Sequence, residues 1–165
     1  MAVWYEVGKT EEAVQEFLKA NCMFHDFRLE RFTYIPSKDM VEILYGYDSL
    51  SEGVLLRFAW IYGMHPVCAN DYAADWISGS TVLILPNDTG AKTFLWLEDG
   101  DGATEENLEE CKRWTTWVES GKLFWAHTDK DGNPIEMPED WIDGTAGMEF
   151  HGDSDAILKP WHDRE

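Results

Sequence analysis

Basic residues are scarce in this chain: 13 lysines and arginines stand against 32 aspartates and glutamates, a formal net charge of −19 with a sequence pI near 4.4. A surface of that sign repels nucleic-acid phosphates and anionic lipid, which makes DNA, RNA and membrane binding poor functions for it; basic protein surfaces and cations are attracted. The same acid has a plainer use in keeping a protein dissolved. Cysteine is scarce as well. Cys22, Cys68 and Cys111 lie far apart, their odd number leaves at least one thiol unpaired, and no CxxC or Cys/His cluster points to zinc. The opening "MAVWYEVGKTEEAV" has no basic segment followed by an apolar run, and the longest apolar stretches fall short of a membrane span. The expectation is a cytoplasmic protein of bacterial type that uses no cofactor.

Motifs that announce a reaction are also missing. The chain has no GxSxG elbow, no GxxxxGKS/T phosphate loop, no GxGxxG after a strand and no HExxH, and His65, His127, His151 and His162 are scattered. The sequence therefore states no specific function.

What is present is enough apolar material for a core. A 44% hydrophobic and 14% aromatic share excludes a disordered chain, and 165 residues read as one domain, 1–165, able to bury about two thirds of its unfolded surface. "KTEEAVQEFLKANC" predicts a helix: Thr10 as N-cap, Glu11 and Glu12 where the helix dipole favours acid, and Ala13, Val14, Phe17 and Leu18 on one face. Strands follow at 26–35, 39–47 and 53–62, and the short breaks "PSKD" and "DSLSEG" make them antiparallel. Val41, Ile43, Tyr45 and Tyr47 share a face, as do Val54, Leu56, Phe58, Trp60 and Tyr62, whereas the alternation in the first strand changes phase near Glu30 and Arg31, which predicts a bulge. Strands at 80–86 and 92–98 flank the turn "NDTG". A second helix is expected after "DGDGA", capped by Thr104, with Leu108, Cys111, Trp114 and Val118 on its apolar face and Gly121 at its end. "KLFWAHTDKDGNPIEMPEDW" reads as a hairpin and loop, and "DAILKPW" as a last strand. The fold class is α+β: a mainly antiparallel β-sheet of about six or more strands with about two packing helices.

Several constellations invite a chemical reading, each with a bland counterpart. His25 and Asp26 adjoin in "FHDFRLERFTYI"; neighbours on a strand face opposite ways, so a dyad would need a third group, and a structural role at the start of the sheet is the simpler account. Asp129, Asp131 and Asn133 match the first, third and fifth positions of a calcium loop, but Pro134 stands where glycine belongs and Asp140 where a bidentate glutamate belongs, so a polar hairpin turn explains the same letters. "EDGDGATEE" is a second oxygen-rich loop whose acids complement a following helix N-terminus. Cys22 and Cys111 read as core residues, and Cys68 in "MHPVCANDY" is the thiol in a polar context. Between residues 65 and 79, Asp71, Tyr72, Asp75 and Trp76 combine acid with aromatic anchors; they read either as a short helix packed on the core or as a partner-recognition loop. Nine tryptophans raise a carbohydrate platform, although Trp60, Trp96, Trp114, Trp117 and Trp125 fall in core-like strand and helix patterns.

The run "CMFHDFRLERFTYIPSKDMVEILYGYD" resembles the opening meander of small bacterial families that include immunity proteins of polymorphic toxin systems, over about residues 22–62. The resemblance implies an α+β protein without catalytic activity that sequesters a toxin, often a nuclease, with His25 and Asp26 belonging to the scaffold. An inhibitor of a basic nuclease also benefits from acid that mimics phosphate. Two further readings stand beside this one. Folding can bring scattered His and Asp residues together as a small hydrolase or metal-dependent site, and an exposed aromatic patch would instead mark a structural subunit that self-associates.

Overall fold

Thr10 begins the first helix as its sequence predicts. In a computed structural model, which describes residues 3–25, 27–47, 53–67, 77, 79–136 and 149–151, the Thr10 side chain accepts a hydrogen bond from the Ala13 amide at 3.1 Å. Helix α1 (Glu11–Ala20) then carries Glu11 and Glu12 in its first turn and Lys19 in its last, each matched to the helix dipole. It buries Ala13, Val14, Phe17 and Leu18.

The strands are β1 (Trp4–Glu6), β2 (Phe27–Ile35), β3 (Met40–Tyr47), β4 (Gly53–His65), β5 (Thr81–Pro86), β6 (Lys92–Leu97), β7 (Trp117–Thr128), β8 (Pro134–Ile135) and β9 (Glu149–His151). All the described pairings are antiparallel, and the order β2-β3-β4-β7-β1-β9 forms the main path. The spine is β4 against β7, from Gly53 opposite Thr128 to His65 opposite Trp117. Along its other side β7 receives β6 near Trp117–Ser120, β1 near Phe124–Trp125 and β8 near His127–Thr128, and β5 pairs with β6 beyond it. The chain is thus an α+β fold with a nine-stranded antiparallel sheet. The expected bulge lies between Leu29 and Arg31.

Both faces of the sheet are apolar. One holds Val14 and Phe17 of α1 against Val41, Ile43, Tyr45, Val54, Leu56, Phe58, Trp96 and Trp125. The other carries two smaller clusters, one around Trp4, Met40, Leu55 and Phe124 and one around Leu95, Leu97 and Ala103. Helix α2 (Leu108–Trp114) lies over the second of these through Leu108 and Cys111. At the β5–β6 end the sheet therefore sits between two helical layers, α1 on one face and α2 on the other.

Several expectations are corrected. Helix α2 stops at Trp114, the paired β-branched Thr115 and Thr116 return the chain to extended backbone, and Val118 and Gly121 belong to the central strand β7. Gly121 serves there as space and not as a helix stop: a Cβ at this position would stand 2.7 Å from Cε3 of Trp60. Trp60 does not share a face with Phe58, because its positive φ of 67° turns it onto the Trp4–Phe124 side, and Tyr62 is exposed. Cys22 lies past the end of α1 and is exposed, whereas Cys111 is half-buried. Trp114, expected in the core, is 78% exposed, and Trp117 is a strand residue. Strand β9 was not foreseen, and the expected last strand "DAILKPW" lies outside the described residues.

Candidate functional site

Of the residues singled out by sequence, Asp71, Tyr72, Asp75, Trp76, Asp26 and Cys68 lie outside the described residues. His25 is exposed and ends a tight turn in which its amide donates to the Cys22 carbonyl. Cys22, Met23 and Phe24 in that turn all have positive φ, from 53° to 57°, a left-handed run rare for residues with a Cβ. Buried Phe24 anchors it among Phe17, Phe27, Tyr45 and Trp96. His127 is buried in β7, opposite Val54 on one side and Ile135 on the other.

Asp129 closes the β7–β8 hairpin. Its Oδ1 accepts from the amides of Asp131 at 2.9 Å and Asn133 at 3.0 Å, and Gly132 supplies the positive φ of 83° that the turn requires. These donors, the Asn133 amide first, hold the Asp129 carboxyl below its usual range. The carboxylate that a calcium ion would need is turned onto its own backbone. Among the described residues no three His, Cys, Asp or Glu side chains are placed to share a metal ion.

Sequence reading missed a buried polar group in the core. Glu98, just past β6, is 8% exposed, and the Tyr45 hydroxyl donates to its Oε2 at 2.7 Å while Trp96 Nε1–H donates to the Tyr45 oxygen at 3.2 Å. Burial pushes the Glu98 carboxyl up to about 7; the Tyr45 hydrogen bond opposes that rise and the neighbouring Asp99 charge adds to it. Burial and the Glu98 charge in turn raise Tyr45 well above its ordinary value. Chain alternation alone does not reveal this pair, because its partners come from separate hairpins. Ser80 Oγ–H, which donates to the Glu98 carbonyl at 2.6 Å, ties the same point to the start of β5.

Two surface features lie at the β5–β6 end. The first is acid with an exposed aromatic. Asp99, Asp101, Glu105, Glu106, Glu109 and Glu110 are all exposed in the loop before α2 and on α2 itself, and Trp114 projects into water at the end of that helix. Lys112 is drawn away from this surface toward the Trp117 ring, 4.0 Å from its centroid.

The second is a groove of about 820 Å³ along the outer edge of β5. Thr81, Val82, Leu83 and Ile84 all line it. Successive strand residues face opposite sides of a sheet, so a cavity that touches four in a row runs along the backbone edge and not over one face. Thr10, Glu11, Val14 and Gln15 of the α1 layer form one wall, and Ala103 and Glu105 from the α2 layer the other. Lys9 and Lys92 also line it, the former reaching toward the Phe94 ring at 5.8 Å. Compared with protein-family models, with curated proteins and with solved structures, the chain matches none.

Proposed function

We propose that this is a non-enzymatic acidic binding protein of the immunity type, which sequesters a basic protein partner such as a toxin or nuclease. The observation that carries the proposal is Trp114, 78% exposed at the end of α2 beside the exposed Glu109 and Glu110. Tryptophan is one of the residues enriched among those that carry most interface energy when buried, and a rim of charge supplies orientation. The likeness of residues 22–62 to immunity proteins supports the same reading, and so does the net charge of −19, which accelerates encounter with a cationic surface.

Affinity capture of the tagged protein from its own cell lysate at low and high salt, with the bound proteins identified by mass spectrometry, tests this. The expected result is one strongly basic protein, retained at low salt, lost as salt rises, and bound more weakly by Trp114→Ala. A capture that is empty at low salt removes the proposal's support.

A further inference from the structure

The described edges of the sheet are not alike. Edge strand β2 carries Arg28, Glu30 and Arg31 and a bulge, and β9 is three residues long. Charges, bulges and brevity are the means by which edge strands avoid pairing with other chains. Strand β5 reads "TVLILP": residues 81–85 bear no charge, its pairing with β6 runs without a bulge, and its outer edge opens into the groove.

The parity of its backbone groups can be assigned. Beyond the strand end the Asn87 amide donates to the Ala91 carbonyl, and the Glu98 amide donates to the carbonyl of Thr116, just before β7. Antiparallel ladders alternate, so Leu83 and Leu85 exchange hydrogen bonds with β6, while the N–H and C=O of Val82 and Ile84 point away from it. Pro86, which has no N–H, occupies the same outward parity. The groove is thus floored by two outward peptide groups and walled by the α1 and α2 layers.

From this geometry we infer that β5 accepts an extended, basic segment of the partner as an added antiparallel or parallel strand, seated between the two helical layers. This rests on the acidic-binder reading and assigns it a contact surface. Main-chain hydrogen bonds to Val82 and Ile84 give the attachment, and side chains on alternate positions of the guest reach the two walls. Charge decides the kind of guest. Lys9 and Lys92 offset Glu11 and Glu105 within the lining, and on the flanking elements the exposed Glu12, Glu106, Glu109 and Glu110 outnumber the exposed Lys19 and Arg113, so the surround is acidic. A second copy of this chain would bring another −19 to the same edge, which opposes self-pairing and favours a lysine- or arginine-bearing strand.

The test uses the full chain and two short peptides, one alternating lysine with valine and one alternating glutamate with valine, titrated against wild type, Ile84→Ala and Ile84→Pro. Proline at position 84 removes an outward N–H without touching the β6 ladder, and alanine removes the same side chain while keeping the N–H. The inference expects the lysine peptide to bind wild type, to slow hydrogen exchange at the Val82 and Ile84 amides, and to bind Ile84→Pro at least roughly tenfold more weakly than Ile84→Ala. The glutamate peptide should not bind. Equal binding of the lysine peptide to the alanine and proline variants would overturn the added strand while leaving the acidic-binder reading in place. No binding of the lysine peptide to any of the three proteins would overturn the added strand, while the acidic-binder reading stands or falls on the capture experiment. Sedimentation that shows a wild-type dimer abolished by Ile84→Pro would assign the edge to self-pairing and overturn the basic guest.

Discussion

Tyr45 and Glu98 are 53 residues apart in the chain and meet in the core, the tyrosine hydroxyl donating to the glutamate at 2.7 Å. One comes from the β2–β3–β4 meander and the other from the end of β6, so this bond ties the sheet's first hairpins to its β5–β6 end. Trp96 and Ser80 extend the tie to the start of the proposed docking edge.

Stability should depend on pH through Glu98. Its folded carboxyl titrates at about 7, raised from an ordinary value of 4.5, so between these values the folded state holds more protons than the unfolded state. The contribution is fully present below about pH 4.5 and is lost as pH rises through about 7, a loss of about 3 kcal/mol. Denaturant unfolding of wild type and Glu98→Gln across that window checks it. The wild-type minus variant difference should fall with rising pH and then level; a difference that stays flat would refute the assignment.

Tyr45→Phe removes the hydroxyl and leaves the buried Glu98 oxygen and the Trp96 indole N–H without this partner. A loss of about 1–3 kcal/mol is expected by thermal or chemical unfolding, larger above pH 7 than below it because the ionised carboxylate needs the donor more.

The left-handed turn before β2 stores strain. Met23 has φ of 56° and is 41% exposed, so Met23→Gly gives up little packing and removes a Cβ from a conformation that disfavours it. This variant should be more stable than wild type by about 1 kcal/mol in equilibrium unfolding. A destabilised variant would show that the methionine side chain outweighs the backbone.

Gly121→Ala should act in the opposite direction. The added methyl meets Trp60 at 2.7 Å on ring atom Cε3 and 3.0 Å on the side-chain Cβ, with Trp60 already at positive φ and bonded through its amide to the Asp39 carbonyl. A loss of about 1–3 kcal/mol is expected, readable as a lowered unfolding midpoint together with a shift in tryptophan fluorescence.

Much of this fold was legible where its signals are local. The Thr10 cap and the apolar positions of α1, the short breaks between β2, β3 and β4, and the change of phase at Glu30 and Arg31 all depend on residues close in sequence. The second helix was over-extended for a physical reason. Leu108, Cys111 and Trp114 continue at helical spacing to Val118, and nothing local shows that Val118 is claimed by the central strand or that Gly121 lies beneath Trp60. The docking edge was harder still: "TVLILP" reads as a strand, but its place at the margin depends on which partners β6 and β7 choose. Trp114 was assigned inward by the same helical spacing, which continues past the point where Thr115 ends the helix.

The acidic sequestering surface is tested by the association rate of the captured basic partner with wild type, Trp114→Ala and Glu105→Lys/Glu106→Lys/Glu109→Lys, followed over increasing salt. An acidic sequestering surface predicts a wild-type rate that falls by roughly tenfold or more as the Debye length shrinks from about 30 Å to a few Å, a slower and much less salt-sensitive rate for the triple variant, and faster dissociation for Trp114→Ala. A wild-type rate indifferent to salt, with all three proteins binding alike, would contradict the account.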